Sequence, residues 1–353
     1  MSETVDPRLR RRARGARSNA AGRYERHGRV YEDDGWNSAP DDEAPLRTQV
    51  SVEVPRRMIT YNRSPDLPFD RSINPYRGCE HGCAYCYARP YHEFLGFSAG
   101  LDFETKIIVK PDAPKILRAE LSSSKYEPQV IAMSGVTDIY QPIERKLKIT
   151  RGCLEVLAEF RNPVGMITKN ALITRDIDLL AELAEYNAVG VSFSITTLDE
   201  NLRRRMEPRT SITSKRFEAM EKLNSAGIPA GVMIGPVIPG LNDSEIIEIL
   251  KRAGEAGARS AGYTLLRLPY GVRALFEDWL ETHYPNKKIK VMRRIDERPK
   301  DYQWERKASD DDMIAKEIAF TFRAGRKKAS IVNSRPPLSI AAFRRPGAQR
   351  ELF

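Results

Sequence analysis

Three of the chain's four cysteines fall within eight residues, in Gly78-Cys79-Glu80-His81-Gly82-Cys83-Ala84-Tyr85-Cys86-Tyr87. The C-x3-C-x2-C spacing sets three thiolates on one short loop with no fourth nearby. An iron–sulfur cube is normally held by four cysteines, so three leave one iron open to a ligand that is not protein. Zinc is the competing chemistry, because Cys79, Cys83 and Cys86 with His81 or His92 would supply four ligands. Zinc sites usually pair C-x2-C or H-x3-H units across a longer loop, and the sequence holds no second pair. An odd number of close thiols argues against a disulfide framework. Cys153, in Ile149-Thr150-Arg151-Gly152-Cys153-Leu154, has apolar neighbours at helical spacing and reads as a packed core residue.

With Tyr85 before its last cysteine, this loop resembles that of the radical S-adenosylmethionine (radical SAM) superfamily, and within it the spore photoproduct lyase-like branch. The resemblance implies a 4Fe–4S cluster on Cys79, Cys83 and Cys86 that binds S-adenosylmethionine. It implies reductive cleavage of that cofactor to methionine and a 5′-deoxyadenosyl radical, which takes hydrogen from a substrate. A one-electron reductant such as flavodoxin or ferredoxin is the implied partner. Ser134-Gly135-Val136-Thr137-Asp138 to Glu144 stands where the superfamily often has a glycine-rich segment meeting the cofactor's amino group. There the backbone at Ser134 and Gly135 would contact the cofactor, and Asp138 or Glu144 would accept from its ammonium. The segment departs from the common Gly-Gly-Glu form, and a capped β–α loop with Glu144 at a helix N-terminus is the alternative.

Lys169 ends another apolar run, where its ammonium would pair with the cofactor carboxylate or a substrate anion. Ser194 and Thr196 would face the cofactor, or simply form a capped turn before Asp199. Gly235 and Pro236 would bring backbone close to the adenine. Arg203-Arg204-Arg205 would hold substrate phosphates or form a solvated helix face. One departure bears on DNA repair. The spore enzyme has a hydrogen-returning cysteine two residues before the serine on this strand. Here the strand reads Ala132-Met133-Ser134, so dimer cleavage by that route is not expected. Tyr140 is the alternative relay.

These residues need elements to position them. From about residue 70, short β-branched runs alternate with amphipathic stretches of helical length. Six core strands are expected, at Ser72–Tyr76, Gln129–Ser134, Pro163–Thr168, Val189–Ile195, Ala230–Gly235 and Ala261–Leu266, with an extra strand at Thr105–Lys110. Helices are expected over 113–121, 143–160, 176–183, 217–224 and 272–280, with another after 243 capped by Asp243 or Ser244. Six β–α units argue for an α/β fold, and the resemblance makes it a partial (β/α)6 radical SAM barrel, with an N-terminal disordered tail and a C-terminal helical extension. Chemistry then collects at the C-terminal ends of the strands.

The 353 residues divide into a basic/acidic disordered tail over 1–50, the barrel over 51–285 and a basic C-terminal extension over 286–353. Residues 1–50 have too few apolar residues to offset ordering entropy and are expected to be dispensable for cluster binding. The net charge of +10 belongs to the ends: residues 1–30 hold nine basic against three acidic side chains, and residues 285–353 eighteen against nine. Met313 to Phe320 is expected as a helix packed near the barrel, leaving Arg323, Arg326, Lys327 and Lys328 exposed. Basic ends make nucleic acid a candidate partner. There is no apolar run long enough to span a membrane. The arginine-rich start lacks the apolar region of a secretory signal, so a cytoplasmic location is expected. Two functions of different kinds follow: a radical SAM enzyme, a lyase or modifying enzyme acting on nucleic acid or another substrate, and a non-catalytic zinc-bearing nucleic-acid-binding protein.

Overall fold

The computed structural model describes residues 14–19, 22–24, 47–62, 69–298, 312–332 and 337–346. Ten strands form among them: β1 (Gln49–Val52), β2 (Thr60–Tyr61), β3 (Arg71–Ile73), β4 (Tyr76–Arg77), β5 (Lys106–Val109), β6 (Ile131–Met133), β7 (Val164–Thr168), β8 (Val189–Ser194), β9 (Ala230–Val237) and β10 (Ala261–Leu265). Strands β3, β6, β7, β8, β9 and β10 lie side by side in sequence order, all parallel, with β2 antiparallel on the β3 edge. This is the partial (β/α)6 barrel. The inner strands are buried on both faces, which is why they read as continuous apolar runs rather than alternating ones. A second sheet, β1-β5-β4, holds the expected extra strand and stands at the entrance to the cysteine loop.

The helices are α1 (Leu101–Thr105), α2 (Ala113–Ser122), α3 (Glu144–Leu147), α4 (Ile149–Phe160), α5 (Ile177–Glu185), α6 (Glu200–Met206), α7 (Thr213–Ser225), α8 (Ile246–Glu255), α9 (Val272–His283), α10 (Pro285–Asp296) and α11 (Met313–Lys328). Helix α8 shows why they pack: Ile246, Ile249, Leu250 and Ala253 recur at helical spacing and are all buried. Cys153 is fully buried in the main core, as its apolar neighbours required.

Two expectations change. The helix over 143–160 is two, broken at Lys148, whose φ is 54°. The cause is the Glu144 carboxylate, which accepts from the Thr150 and Arg151 amides at 3.0 and 3.4 Å and so caps α4 from outside it. Neither Asp243 nor Ser244 caps α8: a 3-10 turn over Asp243–Glu245 precedes it, and Asp243 instead accepts from the Gly240 amide at 3.0 Å. Across residue 285, Val291 and Ile295 of α10 share an apolar cluster with Phe276 and Trp279 of α9.

Most of residues 1–50 lies outside the described residues. Those described at 14–19 are packed against the protein, with Gly15 and Ala16 buried. Helix α11 forms as expected and packs through Ile318 and Phe322, the latter against the Tyr263 ring at 4.7 Å. Arg323, Lys327 and Lys328 are exposed and Arg326 is half-buried. No helix among the described residues is long and apolar enough to cross a membrane.

Candidate active site

The cysteine loop leaves β4 at the C-terminal end of the first core strand. Cys79 and Cys83 are buried, Cys86 is half-buried, and all are free thiols. Burial pushes the Cys86 thiol up to about 11, and burial followed by the Glu207 charge pushes Cys83 well above its usual range. Ionising them needs a cation or cluster close by. Gly82 turns the loop at φ 65°, and a Cβ there would stand 2.5 Å from Glu104 Oε2, so glycine fits the turn.

Three neighbours fix the loop. Arg89 is fully buried and donates to the Cys83 carbonyl at 2.8 and 3.0 Å, while pairing with the equally buried Glu104. Gln141 accepts from the Glu80 amide at 2.9 Å, and Thr137 donates to the Gly78 carbonyl at 2.6 Å. On the far side, the Ala84 amide donates to the Met206 carbonyl at 3.0 Å.

The segment after β6 also meets the loop. Ser134 holds φ 104°, uncommon for a residue with a Cβ, and its hydroxyl donates to the Thr137 carbonyl at 2.8 Å. The Gly135 and Val136 amides donate to Asn74 Oδ1 at 3.0 and 3.1 Å, and the Tyr87 hydroxyl donates to the Gly135 carbonyl at 2.7 Å. Ser134 and Gly135 thus lie beside the cysteines.

Asp138 and Glu144 are placed differently. Asp138 accepts from the Tyr140 and Lys169 amides and from Thr168 Oγ1, and its Oδ2 stands 3.2 Å from His81 Nδ1. Its oxygens are engaged as a brace. Burial disfavours charge on His81, yet Asp138 and Cys79 hold its ring up to about 10. Glu144 is fully buried and accepts from the Tyr76 hydroxyl, the Thr150 amide and Arg175 at 2.7 Å, which leaves no oxygen for an ammonium. In this structure the Glu144 carboxylate serves the start of α4. The Tyr140 hydroxyl is buried and donates to Asp176 at 3.1 Å.

Deeper in the barrel mouth, Lys169 Nζ stands 2.9 Å from Glu207 and donates to Ser194 Oγ, Thr196 Oγ1 and the Gly235 carbonyl at 2.7, 3.0 and 3.0 Å. Lys169, Ser194, Thr196 and Gly235 are therefore one cluster, as adjoining strand ends require. Glu207 also pairs with Arg216 at 2.8 Å and accepts from the Tyr85 hydroxyl. Burial opposes its charge, but Lys169 and Arg216 hold the carboxyl far below the usual range. The arginine run divides, with Arg203 buried on Glu200 and the Thr210 carbonyl and Arg204 and Arg205 exposed.

Sequence reading missed Asn74, Arg89, Glu104, Gln141 and Glu207. Asn74-Pro75 directly after a strand was a usable turn signal. The buried charges had none, because Arg and Glu are usually exposed.

The three-thiolate donor set fits a cluster. Three thiolates with no fourth protein ligand among the described residues leave one iron of a cube open to a ligand that is not protein. His92 is turned away, its Nε2 3.0 Å from the Lys106 carbonyl.

Fold and site together define an open parallel α/β barrel with a trithiolate loop after its first core strand. The Radical SAM superfamily profile matches residues 73–253, a little over half of the chain, and the chain belongs to that superfamily. An uncharacterized protein of Mycobacterium tuberculosis is 35% identical over 221 residues, 62% of this chain and 65% of that protein, so the match spans just under two thirds of the relative's length. An uncharacterized protein of Methanocaldococcus jannaschii is 30% identical over 213 residues, 60% of this chain and 76% of the relative. Among solved structures, a spore photoproduct lyase variant with bound AdoMet and dinucleoside spore photoproduct aligns with a TM-score of 0.57 at 18% identity, covering 79% of each chain. At that identity the likeness is one of fold.

Proposed function

We propose that Cys79, Cys83 and Cys86 hold a 4Fe–4S cluster and that the chain is a radical SAM enzyme acting as a lyase or modifying enzyme. The observation that carries this reading is the trithiolate loop at the mouth of an open parallel barrel. When bound, the cluster and S-adenosylmethionine supply one-electron cleavage of the sulfonium to methionine and a carbon radical that takes hydrogen from substrate. The protein's part is to hold and to exclude. Arg89 and Gln141 fix the loop, the Ser134–Gly135 backbone lies against the cofactor, and Lys169 keeps Glu207 while exchanging a strand-end acceptor for the cofactor carboxylate. Tyr85 walls the site with its hydroxyl anchored below. Ala132 in place of a thiol supports a hydrogen-return route unlike that of the spore enzyme.

The test is anaerobic reconstitution followed by reduction with S-adenosylmethionine present and no substrate. The expected result is iron–sulfur absorbance and slow formation of 5′-deoxyadenosine. Both are lost in Cys79→Ala, Cys83→Ala and Cys86→Ala and kept in Cys153→Ala. Stoichiometric zinc in place of iron would overturn this reading in favour of the zinc-bearing alternative.

A further inference from the structure

Residues 14–19 and 22–24 lie on the cysteine loop and reach across to the last barrel unit. The Gly15 and Ala16 amides donate to Glu104 Oε2 and Oε1 at 3.0 and 2.7 Å, and Arg14 donates to the Glu104 carbonyl at 3.1 Å. Glu104 in turn pairs with Arg89, whose guanidinium grips the Cys83 carbonyl. Along the same edge, Asn19 exchanges two hydrogen bonds with Asp102 at 3.0 and 2.9 Å, and Arg23 pairs with Glu93 at 2.6 Å. On the opposite side, Arg17 donates to Thr282 of α9 and lies 3.6 Å from Asp278, while Arg23 stacks over the Tyr270 ring at 3.6 Å. The approach is close enough that a Cβ on Gly15 would stand 1.6 Å from the Gly82 carbonyl oxygen.

An open barrel of six parallel strands leaves a seam between its first and last units, and this segment crosses it. We propose that residues 14–19 and 22–24 act as a strap that completes the cluster site, holding the Cys83 segment in its ligating conformation through Glu104 and Arg89 and covering the loop from solvent. Without the strap, Glu104 loses two amide donors and the cover those residues give it, so its pair with Arg89 is opened to water and weakened. The pair that fixes the Cys83 carbonyl then relaxes. The proposal rests on the cluster reading above.

The test uses the full chain, both apo and reconstituted with iron and sulfide. Gly15→Val should raise tryptic cleavage after Arg17 in the apo-protein on the order of tenfold, because it frees a locally closed segment. It should also lower the iron retained and shorten the lifetime of the iron–sulfur absorbance in air several-fold, with far-UV melting of the apo-protein unchanged. Should Gly15→Val not fold, the double variant Tyr270→Ala/Asp278→Ala removes the partners of Arg23 and Arg17 across the seam, leaves the Arg17 cleavage site intact and should give the same readings. Faster cleavage with undiminished iron and cluster lifetime overturns the positioning role. Unchanged cleavage in both variants overturns the docking itself. Failure of the wild type to take up iron sinks the cluster reading, and the strap's role toward the cluster with it, while the cleavage rates still report the docking.

Discussion

Glu207 is the residue on which the barrel mouth depends most. It is a fully buried carboxylate with Lys169 and Arg216 as cations and Thr196 and Tyr85 as hydroxyl donors. Its folded pKa lies far below the unfolded value, near about 4.3. The stability it contributes is therefore present above the unfolded pKa and is lost as pH falls toward the folded one. In Glu207→Gln, urea unfolding of the apo-protein should lose that acid-side dependence between about pH 4.3 and 2. At neutral pH it should be destabilised by about 3–5 kcal/mol, since two buried cations lose their counter-charge. An unchanged acid limb would mean that other carboxylates set it. This residue was visible in the sequence only as a lone acid among arginines, where its charge was outvoted. The cysteines were legible because their spacing is itself the chemistry, and Lys169, Ser194 and Gly235 because strand ends converge. Asp138 and Glu144 were chosen by position along the segment, and position does not say whether a carboxylate faces the cleft or a helix terminus.

At the scale of elements, β-branched runs bounded by polar turns located all six core strands, and apolar recurrence located their helices. The break at Lys148 escaped because no Gly or Pro marks it; a carboxylate bound outside α4 causes it. The strap escaped for the opposite reason. Its residues have little apolar surface, and it docks through backbone amides onto a buried acid that sequence cannot reveal. Helix α11 was legible by its spacing, and its anchorage can be measured. Phe322 packs on Tyr263 at the edge of the core, so Phe322→Ala should cost about 3–4 kcal/mol in urea unfolding by leaving a cavity there. A loss within about 0.5 kcal/mol, the scatter of surface substitutions, would show that α11 is dispensable to the barrel.

Over the whole molecule, the basic excess at the ends leaves the barrel near electrostatic balance. If the exposed end of α11 binds phosphates, neutralising Arg323, Arg326, Lys327 and Lys328 should weaken affinity for nucleic acid. The slope of log affinity against log salt should fall by about 0.7–0.9 for each phosphate that the variant no longer neutralises. Cofactor cleavage without substrate should be unaffected. Identical slopes would assign the charges to solvation alone. The apolar cluster that joins Cys83, Ala84 and Tyr85 to Leu266, Phe276, Trp279 and Ile295 reaches from the first unit of the chain to past the sixth. Each parallel strand can settle on its predecessor as the polypeptide leaves the ribosome, because neighbours in the sheet are neighbours in the chain. The thiolate loop is the exception: Arg89, Glu104 and Gln141 reach it early, but it gains the last of its apolar partners only once some two hundred later residues have been synthesised. On the proposed cluster reading, the loop would be fully packed to receive iron and sulfide only after nearly the entire barrel had been translated.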